Sequence, residues 1–247
     1  MTRRVIGLTL MALFSHGVSA ASAQICPAPL GEARRLVLVT TETMDSTPAM
    51  MQWFERASAR DKWRASGGAE PALVGRAGIA WAPAFRQFAR PGEPVKFEGD
   101  KRTPAGVYPI GGTFGTEPST RPSHISVTND TVCVDDPDSP EYNKIVSRAH
   151  VGPKVHAENM SKALPMYRHG LLIDYPTDAA AKAGSCIFIH VWRSPTKGTG
   201  GCVSMPEARL LALQDFVEGG SAVVAIVPRH ALGRLGNCLP QTMAMKR

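Results

Sequence analysis

The sequence predicts one mainly β domain with peripheral helices, an α+β fold. Short apolar and β-branched runs recur along the chain, whereas only two stretches have the length and spacing of a long helix. The 247 residues include 23 glycines and 20 prolines, which separate these runs at turns. No internal repeat or low-complexity linker divides the chain. We therefore expect a single domain over 36–230, preceded by a linker over 24–35 and followed by a tail over 231–247.

The predicted elements follow from these patterns in chain order. The strands are expected at 35–41, 73–81, 95–97, 107–110, 124–127, 131–134, 170–175, 186–192 and 222–227. The helices are expected at 48–64, 143–149, 158–164 and 206–218. The first of these helices is predicted from a charged, Trp-bearing stretch with amphipathic spacing, and a Ser-Gly-Gly sequence ends it.

The first 23 residues have the order of a signal peptide. Arg3 and Arg4 precede an apolar run over 5–14, and small residues then lead to Ala23. The apolar run is much shorter than the ~20 residues that a membrane helix requires. We expect residues 1–23 to be removed, which gives an exported protein of the periplasm or cell envelope without a membrane span. A retained N-terminal anchor is the alternative.

The positive net charge limits the classes of molecule that are expected as partners. The formal net charge is +7 and the isoelectric point is near 9.4. In a cytoplasmic protein this basicity would raise nucleic acid as a partner. Export argues against nucleic acid, and the sequence has no run of five or more Lys and Arg residues. Anionic wall polymers and peptide carboxylates are the better candidates.

The five cysteines are an odd number, so an oxidising compartment leaves at least one of them unpaired. Cys26 and Cys238 lie near the two ends of the mature chain, and chain termini are often close in space. Cys133 and Cys186 each belong to an apolar, strand-like run. Our hypothesis pairs Cys26 with Cys238 and Cys133 with Cys186, which leaves Cys202 free, although other pairings remain open.

Cys202 is also the centre of the one segment that suggests chemistry. His190 closes a predicted buried strand, and the glycine-rich sequence 198–201 leads to Cys202 twelve residues later. A nearby histidine makes a cysteine thiol a useful nucleophile. Glycines before the nucleophile let a substrate carbonyl approach backbone N–H groups. The alternative is structural: His190 would be a strand-end histidine and Cys202 a small buried apolar residue.

Metal and cofactor sites are not predicted. The two glycine-rich stretches match neither a P-loop nor a dinucleotide-binding motif. Four residues have side chains of the types that bind zinc, but their spacing matches no known zinc motif: His169, His190, Cys186 and Cys202. His156 and Glu158 could reach the cysteine, although surface or supporting polar roles are favoured for both.

The same segment carries a family resemblance. His190 followed by Thr199–Val203 resembles the His … Ser-x-Gly-Cys signature of the L,D-transpeptidase catalytic domain, the YkuD-like fold. Gly99–Tyr108 resembles the second recurring motif of that family, a Gly-Asp-x-x-Thr-Pro-x-Gly turn. The element Asp136–Asn143, which lies between the two, is similar to that of a divergent subgroup. The resemblance spans about 36–227.

The resemblance implies a β-sandwich-like catalytic domain that acts on stem peptides of peptidoglycan without a cofactor. It implies that Cys202 is the nucleophile, that His190 is the proton donor and acceptor, and that the main-chain carbonyl of Val191 orients the imidazole. The N–H groups of Gly201 and Cys202 would form the oxyanion hole. Thr199 would supply the hydroxyl of the usual serine.

Two departures bear on the reaction. Gly200 stands where the family often has His, and Ser204 stands where Arg often follows Cys-Val, which removes a plausible partner for a substrate carboxylate. The leading hypothesis is an L,D-transpeptidase of wall biogenesis and cell shape, with stem peptides as partners and a wall-attached protein as a further candidate partner. The alternatives are a peptidoglycan hydrolase or carboxypeptidase on the same scaffold, and a non-catalytic wall-binding module.

Overall fold

A computed structural model describes residues 26–240 of the chain. The predicted signal peptide, 1–23, lies outside the described residues, as do the last seven residues of the chain.

Strands dominate the architecture, as the sequence predicts. They are β1 (Arg35–Thr41), β2 (Pro48–Glu55), β3 (Arg64–Ala65), β4 (Glu70–Leu73), β5 (Ile79–Trp81), β6 (Thr103–Gly115), β7 (Ile125–Ser126), β8 (Thr131–Val134), β9 (Ile145–Ser147), β10 (Ala157–Asn159), β11 (Gly170–Ile173), β12 (Phe188–Val191), β13 (Val203–Met205) and β14 (Ala222–Pro228). The α-helices are α1 (Ala28–Glu32), α2 (Arg148–Val151) and α3 (Glu207–Glu218). Short 3-10 helices cover Pro83–Phe88, Met160–Lys162 and Arg229–Cys238.

Eight strands form a closed circuit of hydrogen-bonded neighbours. The order is β1, β14, β6, β11, β12, β13, β4 and β2, and β2 then pairs with β1 again. Two neighbouring pairs are parallel, β1 with β14 and β12 with β13. The parallel pairing of β12 with β13 requires the chain to cross back to the start of β12, and the loop 192–202 makes that return.

A separate three-stranded antiparallel sheet has the order β10, β8, β9. The main sheet encloses the larger hydrophobic core, whose most buried large side chains include Trp81, Tyr108 and Leu36. A second, smaller core holds residues from both sheets. Its members are Phe114, Val127, Cys133, Met160, Ala163, Tyr167, Cys186, Phe188 and Cys202.

The predicted helix over 48–64 is wrong. The first eight residues of the segment form strand β2, which pairs with β1 on one side and with β4 on the other. Ala49, Met51 and Phe54 face the core, and Trp53 stacks on Phe216 of α3 with ring centroids 5.3 Å apart. Pairing with two neighbouring strands therefore overrides the helical spacing of the segment.

Smaller differences also arise from turns and pairing. The predicted strand 73–81 is divided into β4 and β5 by a tight turn at Gly75 and Gly78. A side chain at Gly78 would clash with the backbone of Met44, and the residue has a φ of +90°, so glycine is required there. The predicted helices 143–149 and 158–164 each begin as a strand, β9 and β10, and end in one helical turn.

The predicted helix at 206–218 is confirmed as α3. Its residues Leu210, Leu213 and Val217 recur at helical spacing and are buried against the main sheet, which includes β12. The strands predicted at 35–41, 131–134 and 222–227 are also confirmed as β1, β8 and β14.

The segments outside 36–230 are packed against the domain where the structure describes them. Leu30 of α1 is buried in the larger core, as are Leu235 and Leu239 near the C-terminus. A disulfide joins Cys26 to Cys238 and ties the two ends together. Between residues 26 and 240, the structure has no helix with the length and apolarity needed to cross a membrane.

Candidate active site

His190 lies on β12 and is 4% exposed. Its Nδ1 is 2.8 Å from the carbonyl oxygen of Val191, which can only accept a hydrogen bond, so Nδ1 carries the proton. The neutral imidazole therefore has its lone pair on Nε2. Burial lowers the pKa of His190 to about 4, and the hydrogen bond to Val191 opposes that shift only in part.

Cys202 directly precedes β13, the strand that pairs with β12, which carries His190. In this register Ile189 is opposite Val203 and His190 is opposite Ser204. The Cys202 thiol is buried and donates to the carbonyl of Cys186, with Sγ 3.3 Å from the oxygen. The structure therefore places the predicted nucleophile and base on neighbouring strands.

The electrostatic surroundings keep the thiol protonated. Burial raises the pKa of Cys202 to about 12, and the negative charge of Glu158 acts in the same direction. The N–H of Phe188, the buried ammonium of Lys96 and the hydroxyl of Tyr167 oppose this shift and do not overcome it. The thiol of Cys202 and the imidazole of His190 are consequently both neutral at neutral pH.

Thr199 fixes the turn that presents Cys202. Its Oγ1 donates to the carbonyl of Cys202 at 2.6 Å and accepts from the N–H of Gly201 at 3.0 Å. The Gly201 N–H, for which the family resemblance implies a role in the oxyanion hole, therefore has a partner within the turn. A side chain at Gly201 would lie 3.2 Å from the Arg102 carbonyl, and the φ of Gly201 is +153°, which favours glycine.

The motif Gly99–Tyr108 is hydrogen-bonded directly to the backbone of Cys202. Thr103 donates from its Oγ1 to the Cys202 carbonyl at 3.1 Å, and the same Oγ1 accepts from the N–H of Gly75 at 2.8 Å. Asp100 is held by a buried ion pair with Lys96 at 2.6 Å and accepts from the Arg102 N–H at 2.8 Å. The turn before β6 is thus held by side chains of its own, and it braces the backbone of Cys202.

The element Asp136–Asn143 positions Cys186, the residue whose carbonyl accepts from the Cys202 thiol. Asn143 Oδ1 accepts from the Cys186 N–H at 2.8 Å. Tyr142 and Ser185 both donate to Oε2 of Glu98, at 2.5 Å and 2.7 Å. All three motifs therefore meet at the Cys202 thiol and its backbone.

Both predicted disulfides are confirmed. Cys26 pairs with Cys238 and Cys133 pairs with Cys186, so Cys202 is the free cysteine. The second disulfide joins β8 of the small sheet to the segment before β12. Because Cys133, Cys186 and Cys202 share the smaller core, this disulfide lies close to the thiol.

Tyr167 and Glu158 complete the surroundings of the pair. The Tyr167 ring meets the His190 ring edge to face, with centroids 5.4 Å apart, and its hydroxyl donates to Glu158 at 3.0 Å. Burial raises the pKa of Glu158. The sequence does not single out Tyr167, because it belongs to none of the motifs. His156 is instead exposed and bonds to Asp135.

The zinc set considered from the sequence is not assembled. Cys186 is bonded to Cys133. His169 lies near Glu207 and lines a different cavity, together with His124. In the described part of the chain, the structure forms no group of three or more His, Cys, Asp or Glu side chains that could hold a metal ion.

A cavity of about 180 Å³ opens beside His190. Its lining also includes Thr199, Ser204 and three basic residues, Arg76, Arg193 and Lys197. Cys202 is not among the residues that line this cavity.

Comparisons with solved structures find two bacterial proteins of low similarity. They are Bd1075 from Bdellovibrio bacteriovorus and the helical cell shape determining protein Pgp2 from Campylobacter jejuni. Each is 16% identical to this chain with a TM-score of 0.41, and each alignment covers 79% of this chain. The same alignments cover 48% of the other chain, so this chain spans about half the length of either protein.

Comparison with curated protein sequences gives no significant match. Comparison with protein families finds that the model of the L,D-transpeptidase catalytic domain, YkuD, matches residues 43–226. The match covers β2 to β14 almost completely, including all three motifs and the residues around the thiol. This chain therefore belongs to the YkuD family of L,D-transpeptidase catalytic domains.

Proposed function

We propose that this chain is an exported L,D-transpeptidase that acts on peptidoglycan stem peptides, with Cys202 as nucleophile and His190 as its base. The observation that carries the proposal is the state of His190. Its Nδ1 donates to the Val191 carbonyl, which leaves Nε2 as a proton acceptor on the strand next to the free cysteine. A main-chain carbonyl thus takes the orienting role that a carboxylate has in a catalytic triad.

The proposed reaction begins with a neutral pair. As Sγ of Cys202 attacks the carbonyl carbon of a stem-peptide amide, Nε2 of His190 takes the thiol proton. The tetrahedral intermediate then expels the leaving amine, which receives that proton from His190, and a thioester remains on Cys202. An acceptor amine attacks the thioester, loses its proton to Nε2 and forms the new amide, and the proton returns to the Cys202 sulfur.

The oxyanion of the tetrahedral intermediate requires backbone donors. We assign this role first to the N–H of Cys202, because the N–H of Gly201 already donates to Thr199. Gly201 would contribute only if its N–H left the Thr199 hydroxyl during the reaction. Thr199 and Thr103 are positioning residues in this scheme, since both bond to the Cys202 carbonyl and neither needs to touch the substrate.

The compartment is part of the proposal. Two disulfides are typical of a protein that folds outside the reducing cytosol. Together with the signal-peptide pattern of residues 1–23, they support export to the periplasm or cell envelope, where stem peptides are found. A wall-attached protein that carries the acceptor amine remains a further possible partner.

The test is to incubate the mature protein and its Cys202→Ala variant with purified muropeptides and to follow the products by mass spectrometry. New cross-linked dimers that only the unsubstituted protein forms would support transfer. Shortened monomers or cut linkages would instead indicate that water resolves the acyl-enzyme. Identical products from both proteins would contradict catalysis and leave only wall binding.

The protonated thiol predicts slow alkylation of Cys202. Its pKa of about 12 leaves little thiolate at pH 7, so we expect iodoacetamide to react at least ~100-fold more slowly than with a free cysteine. Because the thiolate fraction grows with pH below the pKa, the rate should rise about tenfold per pH unit from pH 7 to 10. Mass spectrometry of the trapped protein measures the rate. A plateau that begins by about pH 10 would show that the thiol ionises near its ordinary pKa.

A further inference from the structure

Glu158 is a carboxylate near the proposed nucleophile that the proposed reaction does not use. It lies on β10 of the small sheet, where it is opposite Cys133 of β8. Cys133 is bonded to Cys186, and the carbonyl of Cys186 accepts from the Cys202 thiol. The small sheet therefore brings a negative charge to the surroundings of the thiol, where it disfavours the thiolate.

Tyr167 connects this carboxylate with the Cys202 thiol. It is 3% exposed, and its hydroxyl donates to Oε2 of Glu158 at 3.0 Å. The same hydroxyl acts on Cys202 through a hydrogen bond that lowers the pKa of the thiol. A hydroxyl group has only one proton to donate, so the carboxylate and a Cys202 thiolate compete for it. Burial and the negative charges of Cys202 and Glu158 raise the pKa of Tyr167 well above its ordinary value, so the hydroxyl keeps its proton at neutral pH.

Two further titratable groups belong to the surroundings of Cys202. Lys96 favours the thiolate, but its ammonium is held in a buried ion pair with Asp100 at 2.6 Å. His190 lies on β12, the strand next to β13, and is neutral at neutral pH because burial lowers its pKa to about 4. Neither group therefore supplies an uncompensated positive charge that would cancel the charge of Glu158.

Asp135 is a second carboxylate near Glu158. Burial and the charge of Asp135 both raise the pKa of Glu158, and the hydrogen bond from Tyr167 opposes them. Asp135 is itself bonded to the exposed His156. The Tyr167 hydroxyl is thus the contact that favours the ionised form of Glu158.

We propose that Glu158 and Tyr167 are positioning residues that control the ionisation of Cys202. With its carboxylate ionised, Glu158 engages the Tyr167 hydroxyl and places a negative charge near the sulfur, so Cys202 stays a thiol. When the carboxylate loses its charge, the hydroxyl is free to donate to the sulfur, and the thiolate forms at a lower pH. A thiol that stays protonated resists oxidation in a compartment that forms disulfides. The proposal deepens the proposed function and rests on it for the role of Cys202 as nucleophile.

The test measures the thiolate of Cys202 directly, without substrate. Thiolates absorb ultraviolet light at wavelengths where thiols do not, so the difference between each variant and the same variant with Cys202→Ala gives the thiolate fraction at each pH. Glu158→Gln keeps the shape of the side chain and removes its charge, and Glu158→Gln/Tyr167→Phe also removes the hydroxyl. The matched control is Glu70→Gln, since Glu70 is partly exposed and forms an ion pair with Arg209 of α3.

We expect Glu158→Gln to increase the thiolate fraction of Cys202 at pH 10.5 about eightfold, which corresponds to a pKa of about 11 in place of about 12. Adding Tyr167→Phe to this variant should lower the thiolate fraction at least ~threefold, because the sulfur then has no hydroxyl donor. Glu70→Gln should titrate as the wild-type protein does.

An unchanged thiolate fraction in Glu158→Gln would overturn the inference. The same conclusion would follow if the thiolate fraction of Glu158→Gln were equal with and without the Tyr167 hydroxyl. The proposed function fails separately. If Glu158→Gln ionises as expected, but the wild-type protein forms no thioester with a stem peptide, control of the thiol stands and the transpeptidase assignment does not.

Discussion

Replacing His190 with alanine is expected to lower kcat/KM for thioester formation on a stem peptide by about 10³-fold. The expectation follows from the protonated thiol, because burial raises the pKa of Cys202 to about 12 and the thiol cannot lose its proton unaided near neutral pH. A protein with a preformed thiolate would depend far less on its base. Intact-mass measurement of the acyl-enzyme in single-turnover experiments gives the rate of this step.

Two further variants distinguish the loss of the base from a general disturbance of the fold. His150→Ala is the matched control, since His150 is exposed and lies on α2, outside the site cavity, and it should retain full activity. His190→Gln keeps an amide that can donate to the Val191 carbonyl but supplies no base, so it should be as impaired as His190→Ala. Full activity in either His190 variant would refute the proposed role.

The same reasoning fixes the pH dependence of the wild-type protein. His190 acts as a base only when it is neutral, and its lowered pKa of about 4 keeps it neutral above roughly pH 5. The rate should therefore fall only as the pH approaches 4 and should change little between pH 6 and 9. A steep rise between pH 7 and 9 would indicate instead that the reacting species is a preformed thiolate.

Cys202 and His190 could be singled out from the sequence because cysteine parity, the glycine-rich approach to Cys202 and the family resemblance all point to them. An odd number of cysteines implied a free thiol, and the structure leaves Cys202 unpaired. The His190 position at the end of an apolar run implied a buried strand, which is β12. Whether the two residues catalyse a reaction remains a prediction.

The contacts of the supporting residues could not be predicted in this way, even where a motif contains the residue, because these residues lie far from the thiol in the chain. Thr103 reaches the Cys202 carbonyl across a sequence separation of 99 residues. Tyr167 lies against His190 only because of where the segment before β11 is placed by packing. The helix prediction for 48–64 is wrong for a related reason. Pairing with the strands β1 and β4 determines the conformation of β2, and the helical spacing within 48–64 contains no information about those partners.

Removal of the Cys133–Cys186 disulfide is the second large effect that we expect. The Cys133→Ala/Cys186→Ala variant should lose about 4 kcal/mol of unfolding free energy from loop closure alone, since the bond spans 53 residues. It should also lose activity per folded molecule. The carbonyl that accepts from the Cys202 thiol is that of Cys186, one of the two cysteines of this disulfide. Without the disulfide, the hydrogen bond from the Cys186 N–H to Asn143 would still hold Cys186.

Removal of the Cys26–Cys238 disulfide distinguishes the loss of stability from the loss of activity. Cys26→Ala/Cys238→Ala should lose about 5 kcal/mol, because the bond spans 212 residues, yet it should keep the wild-type kcat where it is folded. Cys26 and Cys238 are packed in the larger core, away from the cluster that holds Cys202. Urea unfolding and single-turnover acylation measure the two quantities in each variant. If both double variants kept kcat, or both lost it equally, the Cys133–Cys186 bond would stabilise the fold without positioning the thiol.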